Sequence, residues 1–96
     1  MDMYKVVIED YYRKNVGRIV ARTSTLTDAR KQAYSEIGKI YGKMISIYKH
    51  KDNTPGPMEL IGEVQKWHSG ERYWYPDKNG RKYPLYKDGT LGRRLR

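Results

Sequence analysis

Cysteine and phenylalanine are both missing from this 96-residue chain, and its 11 acids are far outnumbered by 20 Lys and Arg. Without cysteine the fold cannot rest on disulfides or on a thiolate zinc site, which suits a reducing, cytoplasmic setting. The longest aliphatic run is only Val6-Val7-Ile8, and Met1-Asp2-Met3 begins no basic leader followed by an apolar stretch. The sequence therefore predicts neither a signal peptide nor a membrane span. No Gly-rich phosphate loop and no nucleophile elbow can be found.

Metal-binding residues are equally sparse. His50 and His68 are the only histidines, and nothing in their spacing makes them converge with a carboxylate such as Asp52 or Glu71. Glu59 and Glu63 fall on one face of a predicted strand and lead toward Lys66. That resembles the acidic-x-Lys strand of restriction-type nucleases, but Lys66 stands three residues after Glu63 rather than two, and no Pro-Asp precedes the pair. The expectation is a protein that is not an enzyme, with no metal, cofactor or small-molecule substrate.

What is plentiful is tyrosine and positive charge. Ten Tyr and two Trp accompany a net charge of +9. Every large ring thus carries a polar handle, which suits half-buried sheet faces and interfaces. The charge is concentrated in the last third. Lys66 to Arg96 holds nine cations against Glu71, Asp77 and Asp88, a net of +6 of the total +9. Lys66-Trp67, Arg72-Tyr73-Trp74-Tyr75, Arg81-Lys82-Tyr83, Tyr86-Lys87 and Arg93-Arg94-Leu95-Arg96 interleave bases with rings. Cations attract phosphates, and flat rings stack on bases or on Arg.

The periodicity of apolar residues predicts an α+β domain. Tyr4, Val6 and Ile8 alternate on a first strand over 4–12, and Ile19 and Ala21 share a face of a second over 16–23. Thr25 or Thr27 can cap a helix whose stripe runs through Leu26, Ala29, Ala33, Ile37 and Ile40, with Gly42 as its C-cap and Gly38 as a packing detail inside it. Met44 to Lys49 carries Ile45 and Ile47 on one face, and Met58 to Trp67 carries Met58, Leu60 and Val64 on one face. Arg72 to Tyr75 and Lys82 to Tyr86 flank an Asn79-Gly80 hairpin turn, with Pro84 confining the last strand to an edge. The order is β-β-α-β-β plus a C-terminal hairpin, one antiparallel sheet of about four to six strands with a helix packed on a face. In size and element order the chain resembles small α+β proteins common in bacteriophage genomes. Residues 1–88 are expected to form one domain, and 89–96 a flexible basic C-terminal tail.

The predicted contact surface for an anionic partner is Lys66, Trp67, Arg72, Trp74, Arg81, Lys82, Tyr83, Arg93, Arg94 and Arg96. A second basic patch is expected on the first hairpin from Arg13, Lys14, Arg18 and Arg22, the last two projecting from one strand face. The helix mixes Asp28 and Glu36 with Lys31 and Lys39, which argues against a major-groove recognition helix. The expected function is binding of DNA or RNA, or of a nucleoprotein complex. The alternative is a phage or mobile-element inhibitor that blocks a host nucleic-acid-processing enzyme by protein contact, an anti-CRISPR protein being one such case. A small metal-dependent nuclease is the third reading.

Overall fold

The computed structural model describes residues 2–10, 17–39, 43–51, 58–66, 69–76 and 80–93. Six strands and one helix follow in the order β1 Asp2–Asp10, β2 Gly17–Thr23, α1 Leu26–Ile37, β3 Lys43–Lys51, β4 Glu59–Lys66, β5 Arg72–Pro76 and β6 Tyr83–Pro84. The strands form one sheet in the order β2-β1-β3-β4-β5-β6, antiparallel at every junction. The helix packs on one face, so the α+β architecture read from the periodicity is the architecture of the protein.

Its core is the apolar side of that contact. Val6 and Ile8 of β1, Ile45 and Ile47 of β3, Val64 of β4 and Trp74 of β5 meet Ala29, Ala33 and Ile37 of the helix, and Leu85 closes the cluster. Small residues on the helix let it approach the sheet closely, while the branched residues fill the pleat. Trp74 lies across Gly62 on the neighbouring strand, where any Cβ would collide with the indole ring.

Two bulges alter the faces that simple alternation predicts. In the pairing of β1 with β2, Val6 opposes Ala21 but Val7 opposes Ile19, which leaves Val20 as the extra residue. Arg18 consequently pairs with Ile8 on the helix side, and Arg22 with Lys5 on the other. The expectation that Arg18 and Arg22 project together is corrected by this bulge, since one added residue inverts everything beyond it. In β4, Ile47 opposes Gly62 while Tyr48 opposes Leu60, so Ile61 is the extra residue and turns toward the core. Leu60 therefore leaves the face of Val64, and Met58, expected to share that face, is exposed.

The helix begins as expected and ends early. Thr25 is the N-cap, its Oγ1 accepting from Asp28 N at 3.2 Å. Gly38, not Gly42, is the C-cap. Gly has poor helix propensity, and here the absent side chain leaves room for the Arg72 guanidinium, into which a Cβ would run. Ile40, Tyr41 and Gly42 lie outside the described residues.

Candidate nucleic-acid interface

The basic aromatic third divides into residues turned inward and residues left outside. β5 alternates, and Arg72 and Trp74 fall on the helix face. Trp74 is 4% exposed and sits in the core, with the Arg30 guanidinium 5.7 Å from its ring centroid. It is not a ring offered to a partner, because the largest apolar side chain in a small domain is most stable where it removes most surface from water. Tyr83, paired with Trp74, packs partly buried against the same cluster. Arg72 stacks 4.2 Å from the Tyr34 ring centroid, and its Nε is buried without a hydrogen-bond partner, so the ring face holds the guanidinium where an acceptor otherwise would. Lys82 lies 4.9 Å from the Tyr73 ring centroid.

Outside remain Lys66, Arg81 and Arg93, all exposed and without an ion pair to any described residue. Arg18 and Arg22 are also exposed, at the opposite edge of the sheet. Trp67, Arg94, Arg96, Arg13 and Lys14 lie outside the described residues.

The expected flexible tail is folded over its first part. Tyr86 N donates to Thr90 O at 3.0 Å and Gly92 N to Pro84 O at 2.8 Å, with Leu85 bridged to Leu91. Gly89, at φ +87, sits where a side chain would strike the Thr27 carbonyl, and its own carbonyl accepts from Arg30 Nε at 2.9 Å. Asp88 accepts from Thr90 Oγ1 at 2.6 Å and from Thr90 N at 3.0 Å, bonds that hold its carboxyl below the usual range. The glycines thus permit close docking rather than fraying. This register sets Gly92 against Pro84 with Arg93 next along the chain, while Arg81 precedes β6 and Lys87 follows it. The result is a cationic edge along the last strand.

The sheet face away from the helix is chemically different. Glu9, 9% exposed, accepts hydrogen bonds from Ser46 Oγ and from Tyr48 OH, the latter at 2.7 Å. Burial first, and then the bond to Glu9, push the Tyr48 hydroxyl up to about 12. Glu63 opposes Ser46 on the same face and accepts from Gln65 Nε2 at 2.6 Å. That face joins the Glu9 and Glu63 carboxylates to Lys5 and Arg22, so it and the edge that carries Arg81, Lys87 and Arg93 are distinct surfaces.

Glu59 and Glu63, expected on one face, are divided by the Ile61 bulge. Glu59 pairs with Lys49 on the helix side, and Glu63 with Ser46 on the other. Among the described residues no group of three His, Cys, Asp or Glu could hold a metal ion. No helix among the described residues is long and apolar enough to cross a membrane.

Near the end of β6 lies a cleft of about 530 Å³ between the helix, the start of β5 and the C-terminal segment. Tyr34, Glu71, Arg72, Pro84 and Tyr86 line it. Tyr73 OH and Ser69 Oγ both donate to Glu71 Oε2, and the Glu71 carboxylate holds the Tyr73 hydroxyl above its usual range. Tyr34 and Glu71 were not among the residues predicted from sequence. Tyr34 lies far from β5 along the chain and Glu71 is an acid in a basic stretch, so neither composition nor spacing signals their meeting. Comparison of the chain with family models, with characterised proteins and with solved structures finds no match.

Proposed function

We propose that the protein is a non-enzymatic nucleic-acid-binding module that grips the phosphate backbone along its C-terminal edge. The observation that supports this reading is the grouping of exposed Arg81, Lys87 and Arg93 around β6 and the segment hydrogen-bonded to it, none of them ion-paired with a described residue. Cations without an acid partner give up no ion pair on meeting phosphate, and they release condensed counterions. Lys66, exposed on β4, stands opposite Arg72 across the β4–β5 ladder. The exposed Tyr86 supplies a ring beside them.

The test is fluorescence anisotropy with single- and double-stranded DNA and RNA over a salt series. Log affinity against log salt should fall with a slope reflecting several released ions, and Arg81→Ala/Arg93→Ala should reduce that slope by roughly 2 units. Binding confined to very low salt, or a slope indifferent to both arginines, would refute the reading.

One observation favours the second reading, a protein inhibitor of a nucleic-acid-processing enzyme. β2 is a seven-residue edge strand with Ile19 40% exposed. Such an edge can accept a partner strand, although Arg18 and Arg22 discourage indiscriminate pairing. Tight capture of one protein, with weak binding to every free nucleic acid, would select it.

A further inference from the structure

The cleft beside β6 is lined by three kinds of group: an exposed ring, a stacked guanidinium and a carboxylate with spare capacity. Tyr86 is 53% exposed and forms one wall, with Pro84 adjacent. Arg72 is fixed over Tyr34, and the missing Cβ of Gly38 gives it the space to lie there. Glu71, also in the lining, takes the Tyr73 and Ser69 hydroxyls on Oε2 alone, while Oε1 accepts no hydrogen bond from the described residues. A volume of about 530 Å³ lies within the range that takes small ligands.

Building on the proposed phosphate contacts, we infer that this cleft receives one unpaired guanine of the bound strand. The ring of the base stacks on Tyr86, as bases do on exposed aromatic side chains. The adjoining phosphate meets Arg72. The Watson–Crick edge meets Glu71, which as a carboxylate only accepts. Guanine alone presents parallel N1–H and N2–H donors to such a group. Cytosine and adenine offer one amino group beside an acceptor nitrogen. Uracil and thymine offer one imino N–H between two carbonyls, both of which face repulsion from the carboxylate. Oε2 can serve although it already accepts from hydroxyls, because a carboxylate oxygen has two lone pairs.

The experiment uses the intact protein and short pyrimidine-rich single strands of equal length and charge, with a central G, A, C, U or inosine. The guanine strand should bind about tenfold or more tighter than the uracil strand, a discrimination typical of a good bidentate contact. Inosine, which lacks the N2 amino group, should fall between them. Glu71→Gln should collapse the guanine advantage to within about twofold while leaving the salt slope unchanged, since phosphate contacts set that slope. Tyr86→Ala keeps the inference testable should Glu71→Gln fail to fold. It should weaken every strand by about fivefold or more with the ranking retained, as loss of a stacking ring does. Equal affinity for all strands, a preference that survives Glu71→Gln, or indifference to Tyr86→Ala would overturn the inference while the phosphate reading stands. Failure of every strand to bind at physiological salt would overturn both.

Discussion

The two faces of the sheet bury their central residues by opposite means. On the helix side Val6, Ile8, Ile45, Ile47 and Val64 are almost completely enclosed by apolar neighbours. On the other side Ser46 is 1% exposed, yet its partner is the Glu9 carboxylate, which also holds Tyr48. The first face is held by non-directional burial and tolerates imperfect shapes at moderate cost. The second is held by a few directional bonds to one charge, and it fails when any donor or acceptor is left alone. One polypeptide strand supplies both, because successive residues of β1 point to alternate sides.

The helix face should show the largest response. Trp74→Ala removes the largest side chain of the core and uncovers Gly62, so stability should fall by about 3–5 kcal/mol. For a domain of this size that lowers the melting temperature by at least about 12 °C. A melting temperature that barely moves would place the indole outside the core and restore it as a candidate for base stacking.

The other face should respond next. Glu9→Ala leaves the Ser46 and Tyr48 hydroxyls without their acceptor, and hydrogen bonds to a charged group contribute about 1.5–3 kcal/mol. Denaturant titration should therefore show a loss of about 2 kcal/mol. In Glu9→Ala/Ser46→Ala the loss should be less than the sum of the single effects, because the second change removes one of the stranded groups. Strict additivity would mean that the two residues do not form a unit.

The same network predicts a response to alkali. Tyr48 has its hydroxyl raised from 10.0 to about 12 in the fold. The native state therefore retains a proton that the unfolded chain gives up between these values. Stability from this group is complete below about pH 10 and is lost as pH rises toward 12. Tyr48→Phe should flatten the decline in stability across that window. An unchanged pH profile would show that other tyrosines cause the decline.

These two faces were unequally legible in the sequence. Val6, Ile8, Ile45 and Ile47 announced a helix-covered face by period two, and Thr25 with Asp28 announced where the helix begins. The bulges at Val20 and Ile61 were not legible. A bulge residue is set by how two strands register, and Val20 or Ile61 inside an apolar stretch looks like ordinary alternation. The interior position of Trp74 was hidden for a related reason. Its chain neighbours Tyr73 and Tyr75 are amphipathic too, so only the pairing with Val64 and Gly62 tells which ring turns inward. The folded segment after Tyr86 was masked by its glycines, which suggest freedom in sequence but serve close packing at Gly89. The acid Glu9 offered no signal that it would be enclosed, since carboxylates are rarely buried.

The smallest expected stability change comes at the margin of the helix face, at Gly38. Its φ of −68 is open to alanine, which favours folding by about 0.4–1 kcal/mol through the unfolded state. The added Cβ runs into the far end of the Arg72 side chain and displaces the guanidinium from its place over Tyr34. Leaving Tyr34 forfeits a cation–π contact of about 0.5–1 kcal/mol. The opposing effects should nearly cancel, so Gly38→Ala should melt within a few degrees of the parent. Its affinity for the guanine-containing strand should nevertheless fall, because Arg72 no longer lies where the cleft requires it. Unchanged melting with unchanged affinity would show that the fixed guanidinium stabilises the margin of the helix face and does nothing for the bound strand.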